Sequence, residues 1–232
     1  MKRSGAFLVV SLLVLTAASA DNKKETKRVE NAGMVMQEIL NVPDNIPQSL
    51  IDKADCVVVL PSVVKAAFVV GANYGRGVMT CRQGSKFQGH WGPPTMMALE
   101  GASFGLQIGG QATDFVLLLM NDRSAKGVLS SKVKLGADAS AAAGPKGRDA
   151  SAATDVTFRA EILSYSRARG VFIGVSLEGS TLRPDGSANK HLYGKEISAE
   201  DIVLKGEVPA PACANQLLKT LNAGSPKNKS GA

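Results

Sequence analysis

The stretch from Thr113 to Asn121 is apolar on both of its alternations, with Phe115, Leu117 and Leu119 on one and Val116, Leu118 and Met120 on the other. A strand of that kind is covered on both faces. The chain must therefore build a sheet with a packing layer on each side. Cys56-Val57-Val58-Val59-Leu60 repeats the pattern as a continuous β-branched run that Pro61 stops. At 232 residues the chain is long enough to bury such a core without a metal or a lattice of disulfides.

Around these two strands the pattern is one of hairpins. Ala66 to Ala72 and Arg76 to Arg82 flank a turn at Asn73-Tyr74-Gly75. Phe158 to Ser166 and Gly170 to Thr181 are joined through Arg167-Ala168-Arg169. Between Lys132 and Thr157 the residues are small and polar, and Gly144-Pro145-Lys146-Gly147 reads as a turn between two strands. Gly101, Gly105, Gly109 and Gly110 interrupt the strand pattern of Met96 to Gln111, as bends and bulges do. Helical spacing appears in Lys23 to Asn41, where Val29, Ala32, Met36, Ile39 and Leu40 form a stripe, and Pro43 and Pro47 end it. Shorter helices are predicted at Gln48–Ala54, Asp122–Leu129, Ser198–Leu204 with Ser198 as N-cap, and Pro211–Asn222. Hairpin connections imply antiparallel pairing. The predicted class is α+β, a single domain with a curved, mostly antiparallel, glycine-rich sheet or partial barrel flanked by N- and C-terminal helices.

The first twenty residues read differently. Lys2 and Arg3, an apolar run from Ala6 to Leu15 and Ala18-Ser19-Ala20 have the layout of a secretory signal peptide cleaved after Ala20. The run is too short to span a membrane. The division expected is 1–20 leader, 21–222 folded domain and 223–232 flexible tail, in a periplasmic or secreted protein. No cysteine follows Ala20 to carry a lipid. Cleavage would lower the formal charge from +7 to +5. Cys56, Cys81 and Cys213 allow at most one intramolecular pair. Buried free thiols acting as small hydrophobes are the simpler reading.

Catalytic equipment is sparse. Gly71-Ala72-Asn73-Tyr74-Gly75-Arg76-Gly77 has neither P-loop nor dinucleotide spacing, and the two histidines, His90 and His191, fit no metal or cysteine-protease motif. Glu100, Asp114, Glu161 and Glu178 lie in strand-like segments, but nothing in the sequence pairs them for hydrolysis. The reading is non-enzymatic, without cofactor. Aromatic residues make up 5%, too few for the stacking platforms of nucleic-acid binders. Lys132, Lys134, Lys146, Arg148, Arg159, Arg167 and Arg169 gather within about forty residues, a clustering that suits phosphate-bearing head groups or acidic partners. The N-terminal helix, with Lys24, Lys27 and Arg28 beside Val29 and Met36, is either a membrane-facing helix or a cover for the protein's own sheet.

A set of ordered motifs resembles the SYLF domain family. They are Asp55-Cys56-Val57-Val58-Val59-Leu60-Pro61 with Lys65-Ala66-Ala67-Phe68, Gly75-Arg76-Gly77-Val78, His90-Trp91-Gly92-Pro93-Pro94 and Gly105-Leu106-Gln107-Ile108-Gly109-Gly110-Gln111-Ala112-Thr113-Asp114. Ala143-Gly144-Pro145-Lys146-Gly147-Arg148, Ser164-Tyr165-Ser166-Arg167-Ala168-Arg169-Gly170-Val171-Phe172, Leu177-Glu178-Gly179-Ser180 and Tyr193-Gly194 complete them. The resemblance implies lipid and membrane association. It points to a stand-alone, exported bacterial branch, because no SH3 or FYVE module accompanies the domain. The function expected is binding of anionic phospholipid or a membrane surface, with Lys132, Lys134, Lys146, Arg148, Arg167 and Arg169 holding head groups. The alternatives are an envelope structural or stress scaffold that binds a protein partner and, less favoured, a hydrolase.

Overall fold

The computed structural model describes residues 6–42, 46–67, 70–104, 109–145, 159–168 and 171–230. Among them are nine strands: β1 (Cys56–Ala67), β2 (Val70–Cys81), β3 (Thr95–Phe104), β4 (Gly109–Leu119), β5 (Val133–Lys134), β6 (Ala141–Ala143), β7 (Ile162–Ala168), β8 (Val171–Gly174) and β9 (Thr181–Pro184). The sheet order is β5-β9-β3-β2-β1-β4-β7-β6, with β8 on β7. Every pairing is antiparallel except β6 with β7. Strands β5 and β6 stand at opposite ends of this order, yet only residues 135–140 separate them. The sheet therefore curls into a half-barrel.

Both faces are packed, as the doubly apolar strands require. Val58, Leu60, Phe115 and Leu117 share one core with Val133, Leu135 and Ala141 from the two edges, which marks it as the inside of the curl. Helices α3 (Asp122–Ser130) and α5 (Ala199–Val203) close that side. Val57, Val59, Val116 and Leu118 point outward beneath α1 (Ala6–Asn41), α4 (Gly186–Tyr193) and α6 (Asn215–Gly224). α2 (Gln48–Lys53) links α1 to β1. Short polar caps fix the small helices: the side chains of Asn121, Asp185 and Ser198 accept from the backbone N–H of Ser124, Ala188 and Asp201.

Several local readings are corrected. Asn73-Tyr74-Gly75 is not a turn, because β2 runs straight through it. Its glycines are there for close approach: a Cβ on Gly75 would lie 2.4 Å from Val63, and one on Gly77 would lie 2.0 Å from the Val59 carbonyl. Pro61 does not end β1. The strand continues through a bulge at which Ser62 adopts φ 55°, and its N–H donates to Asp114 Oδ1 at 2.9 Å. Cys56 and Cys81 face each other across β1 and β2 and form a disulfide, so only Cys213 is free. The 132–157 region gives β5 and β6 on different edges, while the Lys146-Gly147 half of its expected turn lies outside the described residues. α4, unforeseen, places a helix between the terminal ones. α1 begins at Ala6 and passes Ala20 without a break.

The end of the chain also differs from a flexible tail. Ser225 is fully buried. Its carbonyl accepts from Arg82 Nη1 and from Trp91 Nε1, both at 2.9 Å. Its hydroxyl accepts from Arg82 Nη2 at 2.7 Å and donates to Asp52 at 2.7 Å. Asn228 donates to Asp55, and Lys229 pairs with Asp52. These bonds clasp residues 225–229 onto α2 and β2. The Arg82 guanidinium, 4.3 Å over the Trp91 ring, is so desolvated that its pKa falls to about 10 despite Asp52 and Asp55.

Candidate lipid-binding surface

Of the six basic residues expected to meet at the later hairpins, the structure describes three, Lys132 and Lys134 at β5 and Arg167 on β7. Lys146, Arg148 and Arg169 lie outside the described residues. Lys132 and Lys134 are exposed at β5, and among the described residues neither ammonium has a carboxylate within ion-pair distance. Arg167 is on β7, at the far side of the strand order. It is committed internally: it pairs with Glu38 of α1, lies 3.2 Å from Asp114, and stacks on Phe172 with 5.4 Å to the ring centre. Arg167 thus ties α1 to the strand beside the Ser62 bulge.

The helix residues divide in the same way. Val29 and Met36 are completely buried in the outer core, which corrects the membrane-facing reading of that stripe: it covers the protein's own sheet. Arg28 pairs with Glu25, and Lys24 with Asp21. Lys23 and Lys27 are exposed and have no acidic partner among the described residues. They share a face with Glu30, Asn31 and Met34, and Met34 is 52% exposed. The spacing 23, 27, 30, 34 is itself helical, a second face opposite the buried stripe that the first reading passed over.

This second face forms one wall of an open groove of about 780 Å³, whose other wall is the turn at Ala212–Ala214 and the start of α6. A further reach of about 710 Å³ continues past Gln216 to Leu40, Lys219 and Ala223. Gln216 donates to Gln37 across the groove at 2.8 Å. Gly33 lets the helices close up, since a Cβ there would stand 3.0 Å from the Leu217 nitrogen. Met34, Ala212 and Cys213 line the first reach together with Lys23, Lys27 and Glu30, and Lys219 lines the second. Burial pushes the Cys213 thiol above its ordinary pKa, so it behaves as a neutral apolar group.

The strand carboxylates are engaged elsewhere. Glu100 pairs with Arg183, Asp114 with Arg167 and Glu161 with Arg123. Among the described residues no three His, Cys, Asp or Glu side chains converge as metal ligands. No described helix is long and apolar enough to cross a membrane.

Comparison with known proteins adds a second line of findings. The family model described as Ysc84, Las17-binding protein actin regulator, matches residues 100–224. An SH3 domain-containing protein of Schizosaccharomyces pombe is 36% identical over 191 residues, covering 81% of this chain and 43% of that protein. SH3 domain-containing YSC84-like protein 1 of Rattus norvegicus is 34% identical over 209 residues, 88% of this chain and 60% of the relative. Protein YSC84 of Saccharomyces cerevisiae is 30% identical over 207 residues, 87% and 43%. The chain spans about half the length of these curated relatives. All three are eukaryotic, and two are named for SH3 domains. That corrects the assignment to an exported bacterial branch. The same relatives overturn the cleaved leader read from residues 1–20 and the periplasmic or secreted localisation drawn from it.

Proposed function

Because this chain belongs to the SYLF/Ysc84 family, we propose that it is a non-catalytic domain that associates with anionic lipid at membrane surfaces. The observation that carries this reading is the α1–α6 groove, where Lys23 and Lys27, without an acidic partner among the described residues, stand beside the exposed Met34. Lysines near an anionic surface contribute roughly 1 kcal/mol each. Lys132 and Lys134, exposed at β5, are further candidate cations in this proposal. Lys146, Arg148 and Arg169 join it in this proposal by sequence alone, whereas Arg167 acts as an internal tie.

Sedimentation with vesicles tests the proposal. Binding rises with the anionic fraction and falls with added salt. Replacing Lys23→Glu and Lys27→Glu together weakens it by about tenfold or more. Equal binding to neutral and anionic vesicles, unmoved by salt, overturns the reading. The description of the matching family model supports a second reading, in which the groove takes a protein partner. That reading predicts capture of the partner in solution, with no vesicle binding.

A further inference from the structure

The four central strands outrun their neighbours. β9 pairs with β3 only over Met97–Glu100, and β7 pairs with β4 only over Phe115–Leu119. Beyond those limits β3, β2, β1 and β4 continue together to Phe104, Val70, Ala67 and Gly109. Among the described residues no further strand flanks this projecting apex. Its described spans are 62–67, 70–75, 101–104 and 109–113, and they hold one charged residue, Lys65, and no acid.

On the outer face, Arg76, Asp114 and Arg167 mark the last row that α1 reaches among the described side chains, through Glu25 and Glu38. Two residues further along, on the same alternation, Tyr74 and Ala112 are exposed, and Val64 lies between them in register with both. Val64 is 51% and Tyr74 46% exposed, with the exposed Ala72 following on β2. Arg76 Nε donates to the Tyr74 hydroxyl at 2.7 Å. The apolar patch therefore ends on a phenol and a guanidinium. Such an ordering of apolar tip, tyrosine and cation is the one found at membrane–water boundaries.

We infer that this apex enters the membrane interface, with Val64, Ala72 and Ala112 below the head groups and Tyr74 at their level. This rests on the lipid-binding reading and names the element that penetrates. Half-exposed Val64 and Tyr74 offer on the order of 200 Å². A stable second copy of the chain needs about 800 Å² per partner, so area favours lipid. Depth is limited by the edges of the apex. Backbone N–H and C=O groups there need water, so the apex stays out of the hydrocarbon centre. The Ser62 bulge, held by Asp114 and through Arg167 by α1, fixes the apex to the same face of the sheet that α1 covers.

The test uses the full chain with Tyr74→Trp and phosphatidylserine-containing vesicles. The one native tryptophan, Trp91, is 3% exposed and supplies a constant background. Emission shifts to the blue on binding, and lipids brominated near the head group quench it more than lipids brominated near the chain end. In parallel, Val64→Asp with Tyr74→Asp weakens vesicle binding about tenfold or more, while circular dichroism and the unfolding midpoint stay unchanged. If Tyr74→Trp sediments with vesicles but shows neither shift nor quenching, the inference is overturned and the lipid reading stands. If the unmodified chain binds no vesicles at all, the lipid reading fails and takes the inference with it. A fall in sedimentation coefficient on the double Asp substitution without vesicles assigns the patch to a second copy and also overturns the inference.

Discussion

Replacing Arg82 by methionine should cost about 3–5 kcal/mol of folding stability, the range for breaking a buried charged network from one side. Arg82 is 1% exposed. Its guanidinium donates to the Ala54 carbonyl at 3.2 Å and makes two bonds to Ser225, at 2.9 and 2.7 Å. Hydrogen bonds from a charged donor contribute about 1.5–3 kcal/mol each. Part of that gain is offset by desolvation, which also depresses the pKa to about 10. Methionine fills the space of the stem but leaves the buried Asp55 without the Arg82 charge that favours its ionised form, and the Ser225 carbonyl with one donor fewer. Urea unfolding followed by circular dichroism measures the loss. A chain ending at Gly224 removes the other half of the clasp and should lose a comparable amount, because Arg82 then keeps only the Ala54 carbonyl as acceptor. The two changes act on one network, so the double variant should lose less than their sum by about 2 kcal/mol. Additivity within about 0.5 kcal/mol would show that Arg82 and the C-terminal clasp are independent, and the reasoning would fail.

Two further outcomes follow from the same region. Hydrogen bonds from Lys229, Ser225 and Gln48 outweigh burial and hold the Asp52 carboxyl below its ordinary value of 3.8. A depressed acid stabilises the fold above its unfolded pKa and loses that contribution as pH falls through the folded value. The gap between the parent and Asp52→Asn should accordingly be open at neutral pH and close on acidification, and a gap unchanged by pH in urea titrations would refute it. The Cys56–Cys81 bridge closes a loop with a sequence separation of 25. Chain entropy values such a loop at about 3–4 kcal/mol, so reduction or Cys56→Ser with Cys81→Ser should lower the urea midpoint equally. A midpoint that reductant leaves unmoved in the parent would contradict the bridge.

What could be read in the sequence was whatever is encoded locally. The doubly apolar strands at Cys56–Leu60 and Thr113–Met120 announced a sheet covered on both sides, and Ser198 capped a helix where its spacing predicted. The misplaced β1–β2 turn shows where local reading stops. Asn73-Tyr74-Gly75 has turn chemistry, but Gly75 is there because Val63 of the neighbouring strand leaves no room for a Cβ, and only the paired structure reveals that. The error spread: with the turn put at 73–75, Cys56 and Cys81 could not be seen as opposite one another. The pairing of Ala67 with Gly71, followed back along β1 and β2 through the bulge, brings them into register.

The basic residues teach the same lesson for the site. Lys132, Lys134 and Arg167 fall within one basic stretch of the sequence, but Glu38 and Asp114 already neutralise Arg167. Charge density along a chain becomes a binding surface only when the topology gathers the charges and leaves them unpaired. Lys23 and Lys27 belong to a short basic run with Lys24 and Arg28, but only the latter two pair with acids among the described residues. The signal of Lys23 and Lys27 was periodicity: helical spacing to Met34, on the face opposite the one that the hydrophobic stripe claims for the core. A helix with a complete buried stripe and, on its opposite face, an exposed methionine in line with lysines that lack an acidic partner among the described residues can serve the two roles proposed above. On α1 the first is to cover β1 and β2 through Val29 and Met36, which leaves the second face available for a ligand.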